Sequence, residues 1–152
     1  MSFRLLARWQ KQVLSRDDVA FRTLPAFAKG GRERYGHSDS LPELFDSCLA
    51  QAAGAGSEVP LPARAARAYL DVCFFHPFDD GNGRAALLAL GFVLACEGVV
   101  LDEAGPIQVR RFADDPEGAQ ALARLVHVLA TAAGDRSPRP ASLPATPIAT
   151  WR

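Results

Sequence analysis

From Ala85 to Cys96 the chain is apolar on nearly every helical face, running through Leu87, Leu88, Leu90, Phe92, Val93 and Leu94 before Glu97-Gly98 breaks the pattern. A helix with no polar side to give to water must be wrapped by other elements, so this segment is expected to be central and buried. The flanking segments supply helices to wrap it. Phe3 to Leu14 reads as a short helix with Leu6, Trp9 or Gln10 and Val13 at helical spacing, a packing element and not a chemical one. Ser40-Leu41-Pro42-Glu43 reads as an N-cap, a proline near the first turn and a capping carboxylate. It opens a helix through Leu44, Phe45, Cys48 and Leu49 that ends at Gly54-Ala55-Gly56-Ser57. Leu61 to Phe75 follows, with Ala66, Tyr69, Leu70, Cys73 and Phe74 as its apolar stripe. A last helix, about Pro116 to Ala132, offers Leu122, Leu125, Val126 and Leu129 to the core.

One segment departs from this helical reading. Phe21 to Phe27 alternates loosely, Gly30-Gly31 is a hairpin-turn pair, and Arg32 to Tyr35 can return as a second strand. Pro25 restricts that ribbon to an edge. The expectation is therefore an all-α core with a small β-hairpin. With 152 residues, 49% of them hydrophobic, the chain suits one globular domain, residues 1–133. Residues 134–152 carry prolines at 138, 140, 144 and 147 among Ser, Thr and Ala, and read as a flexible Pro-rich tail.

Pro77 disfavours helical backbone at His76, so the helix should end near Phe75 and turn the His76 imidazole out of the helical path. Neutral imidazole, with a reference pKa near ~6.5, can take a proton from an attacking hydroxyl. Phe78 reads as the anchor of the loop in the core. Gly81 and Gly83 flank Asn82 with permissive backbone, where the next helix opens and its N–H groups and dipole face outward. That is a cradle for phosphate. Asp80 can hold Mg²⁺ bridging phosphates, and Arg84 offers a fixed fork of donors to the same oxygens. Each of these residues alone has a structural explanation; their order and spacing together point to chemistry. A dinucleotide fingerprint and an EF-hand loop both fail to match the run.

The segment His76-Pro77-Phe78-Asp79-Asp80-Gly81-Asn82-Gly83-Arg84 resembles the signature of the Fic (filamentation induced by cAMP) family, within the Fic/Doc superfamily. That signature is His-Pro-Phe-x-(Asp or Glu)-Gly-Asn-Gly-Arg. The resemblance is strong over Leu61 to Cys96 and extends from Phe21 to Leu49. It implies a helical core with a β-hairpin flap at Phe21 to Tyr35, where a protein substrate lies beside the base. It also implies transfer of AMP from ATP, with Mg²⁺, onto a Ser, Thr or Tyr hydroxyl. His76 is then the catalytic base, Gly81, Asn82, Gly83 and Arg84 bind the nucleotide's phosphates, and Asp80 holds the metal.

The resemblance breaks in two places. Many AMP-transferring members have a second arginine three residues after the first, where this chain has Leu87. The death-on-curing toxins also lack it and transfer a γ-phosphate, yet they generally carry lysine where this chain has Gly83. Phosphate transfer, another nucleotide donor, or a nucleotide- or partner-binding pseudoenzyme therefore remain alternatives. Autoinhibited members carry a Ser or Thr and a Glu on an inhibitory helix. The nearest passage here, Ala113 to Gly118, lacks the hydroxyl and contains Pro116, so intrachain inhibition of that type is not expected, and inhibition by a partner protein or no inhibition at all are both open.

Seventeen basic against seventeen acidic residues argue against a nucleic-acid partner. Cys48, Cys73 and Cys96 read as small buried thiols of a reducing compartment. The first residues lack a signal-peptide core and no apolar run reaches spanning length, so no membrane partner and a cytoplasmic location are expected. His127 reads as structural, and His37 as an exposed loop residue.

Overall fold

The computed structural model describes residues 1–28, 30–54, 58–109, 111–112 and 115–136, the side chains of Asp135 and Arg136 excepted. The chain forms α1 (Phe3–Leu14), β1 (Ala26–Ala28), β2 (Glu33–Tyr35), α2 (Leu41–Ala52), α3 (Leu61–Phe75), α4 (Asn82–Ala95) and α5 (Pro116–Arg136), with a 3-10 turn at Gly105–Gln108 before α5. This is the helical architecture with a small antiparallel hairpin that the sequence predicts. No helix among the described residues is long and apolar enough to cross a membrane.

The centre of the bundle is α3 and not α4: α3 packs against α4, α5 and α2. The reason lies in side-chain size. Ala65, Ala66 and Ala68 of α3 and Ala85, Ala86 and Ala89 of α4 are all buried, and small side chains let two helix axes approach closely. A periodicity reading weighs alanine little, so α3 looked like a one-sided helix and α4 like the hub. Around this pair Leu6, Phe45, Leu49, Phe78, Leu90, Leu94, Ile107, Leu122 and Val126 complete the core. Conversely, α4 is not wrapped on every side. Leu87, Leu88, Gly91, Phe92 and Ala95 line an open groove shared with Trp9 and Val13 of α1.

Local chemistry sets the element ends. Ser2 caps α1 by accepting from the Leu5 N–H at 3.4 Å. Ser40 occupies the cap position of α2, but its backbone is already helical and its side chain makes no capping hydrogen bond; its hydroxyl lies 3.2 Å from that of Ser38 instead. The buried guanidinium of Arg64 ties the start of α3 to the Gly54 carbonyl at 2.9 Å and to Glu97, after α4, at 2.7 Å.

The hairpin is shorter than the alternation suggests. Ala26, Phe27 and Ala28 pair with Tyr35, Arg34 and Glu33. Phe21 does not join it, because its ring packs against Phe3 at 5.2 Å and Phe45 at 6.0 Å. Gly30 and Gly31 turn the ribbon with φ of 69° and 83°. Helix α5 continues through Gly134 to Arg136, beyond the expected end at Ala132, so the first three residues of the predicted 134–152 tail are helical; its remainder, from 137, lies outside the described residues. Cys48 and Cys73 are partly buried, whereas Cys96 is exposed.

Asp71 on α3 gives a stability test. Burial pushes its carboxyl above the ordinary 3.8, partly offset by Arg67. A raised folded-state pKa adds stability only below the unfolded value, and that stability is lost as pH rises through the folded one. At neutral pH the ionised group therefore destabilises the fold. Asp71→Asn is expected to melt at a higher temperature than the parent at pH 7, with the gap closing near pH 3. A parent protein that melts higher at pH 7 would mean that the Arg67 pair outweighs burial.

Candidate active site

The segment between α3 and α4 is held from three directions. Phe78 is 1% exposed and stacks on Phe3 at 5.3 Å, a burial worth about 1.5–3 kcal/mol. The side chain of Asn82 closes the turn on itself, accepting from the Phe78 N–H at 2.9 Å and donating to the Phe78 carbonyl at 2.7 Å. From α1, the fully buried Gln10 donates through Nε2 to the Asp80 carbonyl at 2.8 Å. The α1 helix thus supports the site directly and is more than packing.

His76 ends α3 in the left-handed region, φ 49° and ψ 57°, where its N–H still reaches the Val72 carbonyl at 3.1 Å. Proline at 77 predicts extended backbone at this position; the left-handed cap stops the helix at Phe75 equally well. His76 Nδ1 lies 3.3 Å from the Cys73 carbonyl. A carbonyl only accepts, so this contact fits the tautomer with the proton on Nδ1, which leaves Nε2 as the basic nitrogen. Above the ring lies Tyr35 of β2, its centroid 4.1 Å away and the planes 8° apart. Burial, followed by a hydrogen bond with Glu33, raises the Tyr35 phenol above its usual range.

The cradle begins at Gly81, whose φ of 75° is left-handed and whose carbonyl accepts the Ala85 N–H at 3.0 Å. Its own N–H is taken by Asp80 Oδ1 at 2.6 Å. The amides of Asn82, Gly83 and Arg84 are therefore the ones with no intrahelical partner at the start of α4. A cavity of about 240 Å³ brings His76, Asn82 and Gly83 together with Tyr35, Tyr69 and Arg111. Burial pushes the Tyr69 phenol up to about 12.

Asp80 and Arg84 stand outside this lining. Both are exposed, Asp80 Oδ2 lies 3.6 Å from Arg84 Nη2, and Arg84 Nη1 reaches the Val13 carbonyl at 3.3 Å. Asp80 is an exposed carboxylate beside a helix N-terminus, with Oδ1 on the Gly81 N–H and Oδ2 near Arg84, and a carboxylate there suits a magnesium ion sharing phosphate oxygens. Among the described residues no group of three His, Cys, Asp or Glu side chains forms a self-sufficient metal cage. Leu87 is partly buried in the apolar groove between α1 and α4, so no cation comes from that position. His37 lines a neighbouring cavity with Arg22 and Tyr35, while His127 is exposed and not structural.

Sequence reasoning passed over Gln10, Arg22, Tyr35 as a ring partner, and Arg111. Gln10 was detectable as a polar residue on the buried face of α1. Arg22 left no signal, because its partners are backbone carbonyls, most of them 14 to 54 residues away in sequence.

The Fic/DOC family model matches residues 2–94. No curated protein matches the chain. Among solved structures, a Fic domain containing signaling protein from Bacteroides thetaiotaomicron VPI-5482 is similar with a TM-score of 0.54 and 19% identity, a likeness of fold. The match covers 90% of this chain and 65% of that one, so this chain spans less than two thirds of that protein's length.

The two glycines of the turn separate structural from ligand roles. A Cβ on Gly81 would collide with Gln10 Nε2 and sit at positive φ, whereas one on Gly83 meets nothing within 4 Å. Gly81→Ala should lower stability by more than the ~1–2 kcal/mol of left-handed backbone alone. Gly83→Ala should be neutral or stabilise by up to about 0.5–1 kcal/mol. Urea melts check both, and a destabilised Gly83→Ala would contradict the geometry.

Proposed function

The chain belongs to the Fic/DOC family, and on that premise we propose that it moves AMP from ATP onto a Ser, Thr or Tyr hydroxyl of another protein. The observation that carries this reading is one cavity in which a histidine base, oriented by Cys73 and Tyr35, faces the N-terminal amides of α4. A base for a hydroxyl and a cradle for an anion are the two halves of such a transfer.

His76 Nε2 takes the acceptor's proton as the hydroxyl oxygen attacks the α-phosphorus. The bond to the bridging oxygen breaks and pyrophosphate leaves. Asn82 and Gly83 amides hold phosphate oxygens, and Arg84 swings from the Val13 carbonyl to offset the charge on the leaving group. Asp80 would hold Mg²⁺, which would neutralise charge shared between the phosphates. Exposed Leu24 and Phe27, at and before β1, suit an extended protein segment laid along the hairpin. Leu87 in its apolar groove favours one further reading, γ-phosphate transfer from an inverted nucleotide, because the second arginine of many AMP-transferring members is absent.

ATP labelled at either the α- or the γ-phosphate, incubated with lysate, distinguishes these outcomes. Protein labelled only from the α-position supports AMP transfer, and only from the γ-position overturns it.

His76→Ala should bind ATP with unchanged affinity by calorimetry and lose about 10²- to 10⁴-fold in transfer rate. Loss of binding together with activity would remove His76 from the role of base. Asp80→Ala should instead weaken nucleotide binding in Mg²⁺ and leave the weaker binding in EDTA unaltered, because its work is on the metal. An equal loss in both conditions would count against a metal role.

A further inference from the structure

Arg22 is 4% exposed, and its guanidinium is spent on main-chain carbonyls. Nε donates to His76 O at 2.7 Å, Nη2 to Phe75 O at 3.1 Å and Gly36 O at 2.6 Å, and Nη1 to Leu24 O at 2.7 Å. Its own N–H donates to Pro77 O at 2.9 Å. Of the four carbonyls held by the guanidinium, those of Phe75 and His76 lie at the C-terminal end of α3, where acceptors lack intrahelical donors and the helix dipole favours a cation. The other two lie at the feet of the hairpin, just before β1 and just after β2.

We propose that Arg22 is a positioning residue for His76: one planar fork locks the end of α3 to both feet of the hairpin and so holds the imidazole against Tyr35, facing the cradle. The inference rests on the reading of His76 as the base. It follows from connectivity. His76 sits in a left-handed conformation whose carbonyl is gripped by Nε, and Gly36, gripped by Nη2, is covalently next to Tyr35. Moving either carbonyl changes the offset between the two stacked rings. A lysine offers a single point charge with three donors and cannot serve four acceptors. A residue that merely filled space would not need this fork.

The test uses the intact chain with labelled histidine rings. Its three histidines can be sorted by variants. Tyr35 stacked face-on shifts the His76 ring protons upfield, and Tyr35→Ala defines the unstacked position. Arg22→Lys is expected to move those signals most of the way to the unstacked position. It should also lower kcat by about 10²-fold, as small misplacements do, with KM for ATP unchanged. Arg22→Ala should regain part of the rate with added methylguanidinium, which lysine-like amines should not restore. His76 signals in a folded Arg22→Lys that match the parent would overturn the proposal. In case both variants unfold, the unaltered protein decides: the Arg22 Nε–H, donated to the His76 carbonyl, must exchange slowly with solvent, and a fast-exchanging Nε–H overturns the proposal. An inactive protein whose ring stack depends on Arg22 would sink the transferase reading alone. An active one whose stack ignores Arg22 would sink only this inference.

Discussion

One amide side chain makes the rest of the site possible. Asn82 pairs with both the N–H and the carbonyl of Phe78, and both bonds are buried. In that setting each bond is costly to leave unmade, since the Phe78 groups have no water to turn to. The pair closes the turn to one width, seats Phe78 under Phe3, and fixes where α4 begins. Gly81 must then pass the corner at positive φ, and the amides beyond it point away from the helix. A shorter polar side chain could not span the turn, and a longer one would open it.

Much of the fold was readable because helix signals are local. The bounds of α1 and α3 follow from helical spacing over Phe3 to Leu14 and Leu61 to Phe75 and from Pro77 just past the stop of α3. The hierarchy among helices was not readable in the same way. Hydrophobic content marked α4 as central, yet alanines made α3 the hub, because closeness of approach depends on what is missing from a side chain. The extent of β1 is not legible either: Phe21 has the composition of a strand residue, but an aromatic cluster from α1 and α2 claims it.

At the site the division is sharper. The identity of the chemical groups from His76 to Arg84 lies in one short run, but their geometry is imposed from elsewhere. Gln10 is separated by 70 residues from the carbonyl it holds, and Arg22 by 54 from His76. Neither has a spacing signature, because a backbone carbonyl is present at every position and selects no partner type. The sequence run shows which atoms are present; the buried donors decide where they stand. Arg84, held by longer and more exposed contacts, keeps the freedom to reorganise around a ligand.

The left-handed backbone of His76 carries a consequence for how such a chain drifts over generations. At φ 49° glycine would sit without steric cost, and asparagine would sit as comfortably as histidine. Mutation toward glycine at this point gains backbone comfort and forfeits the Tyr35 stack and the proposed base. A lineage released from selection on chemistry would meet little folding resistance to losing its imidazole, whereas Phe78 and Asn82 would persist for stability alone. Persistence of histidine at 76 is thus a more sensitive gauge of retained function than the rest of the turn, and among related chains it is the first position at which disuse should show.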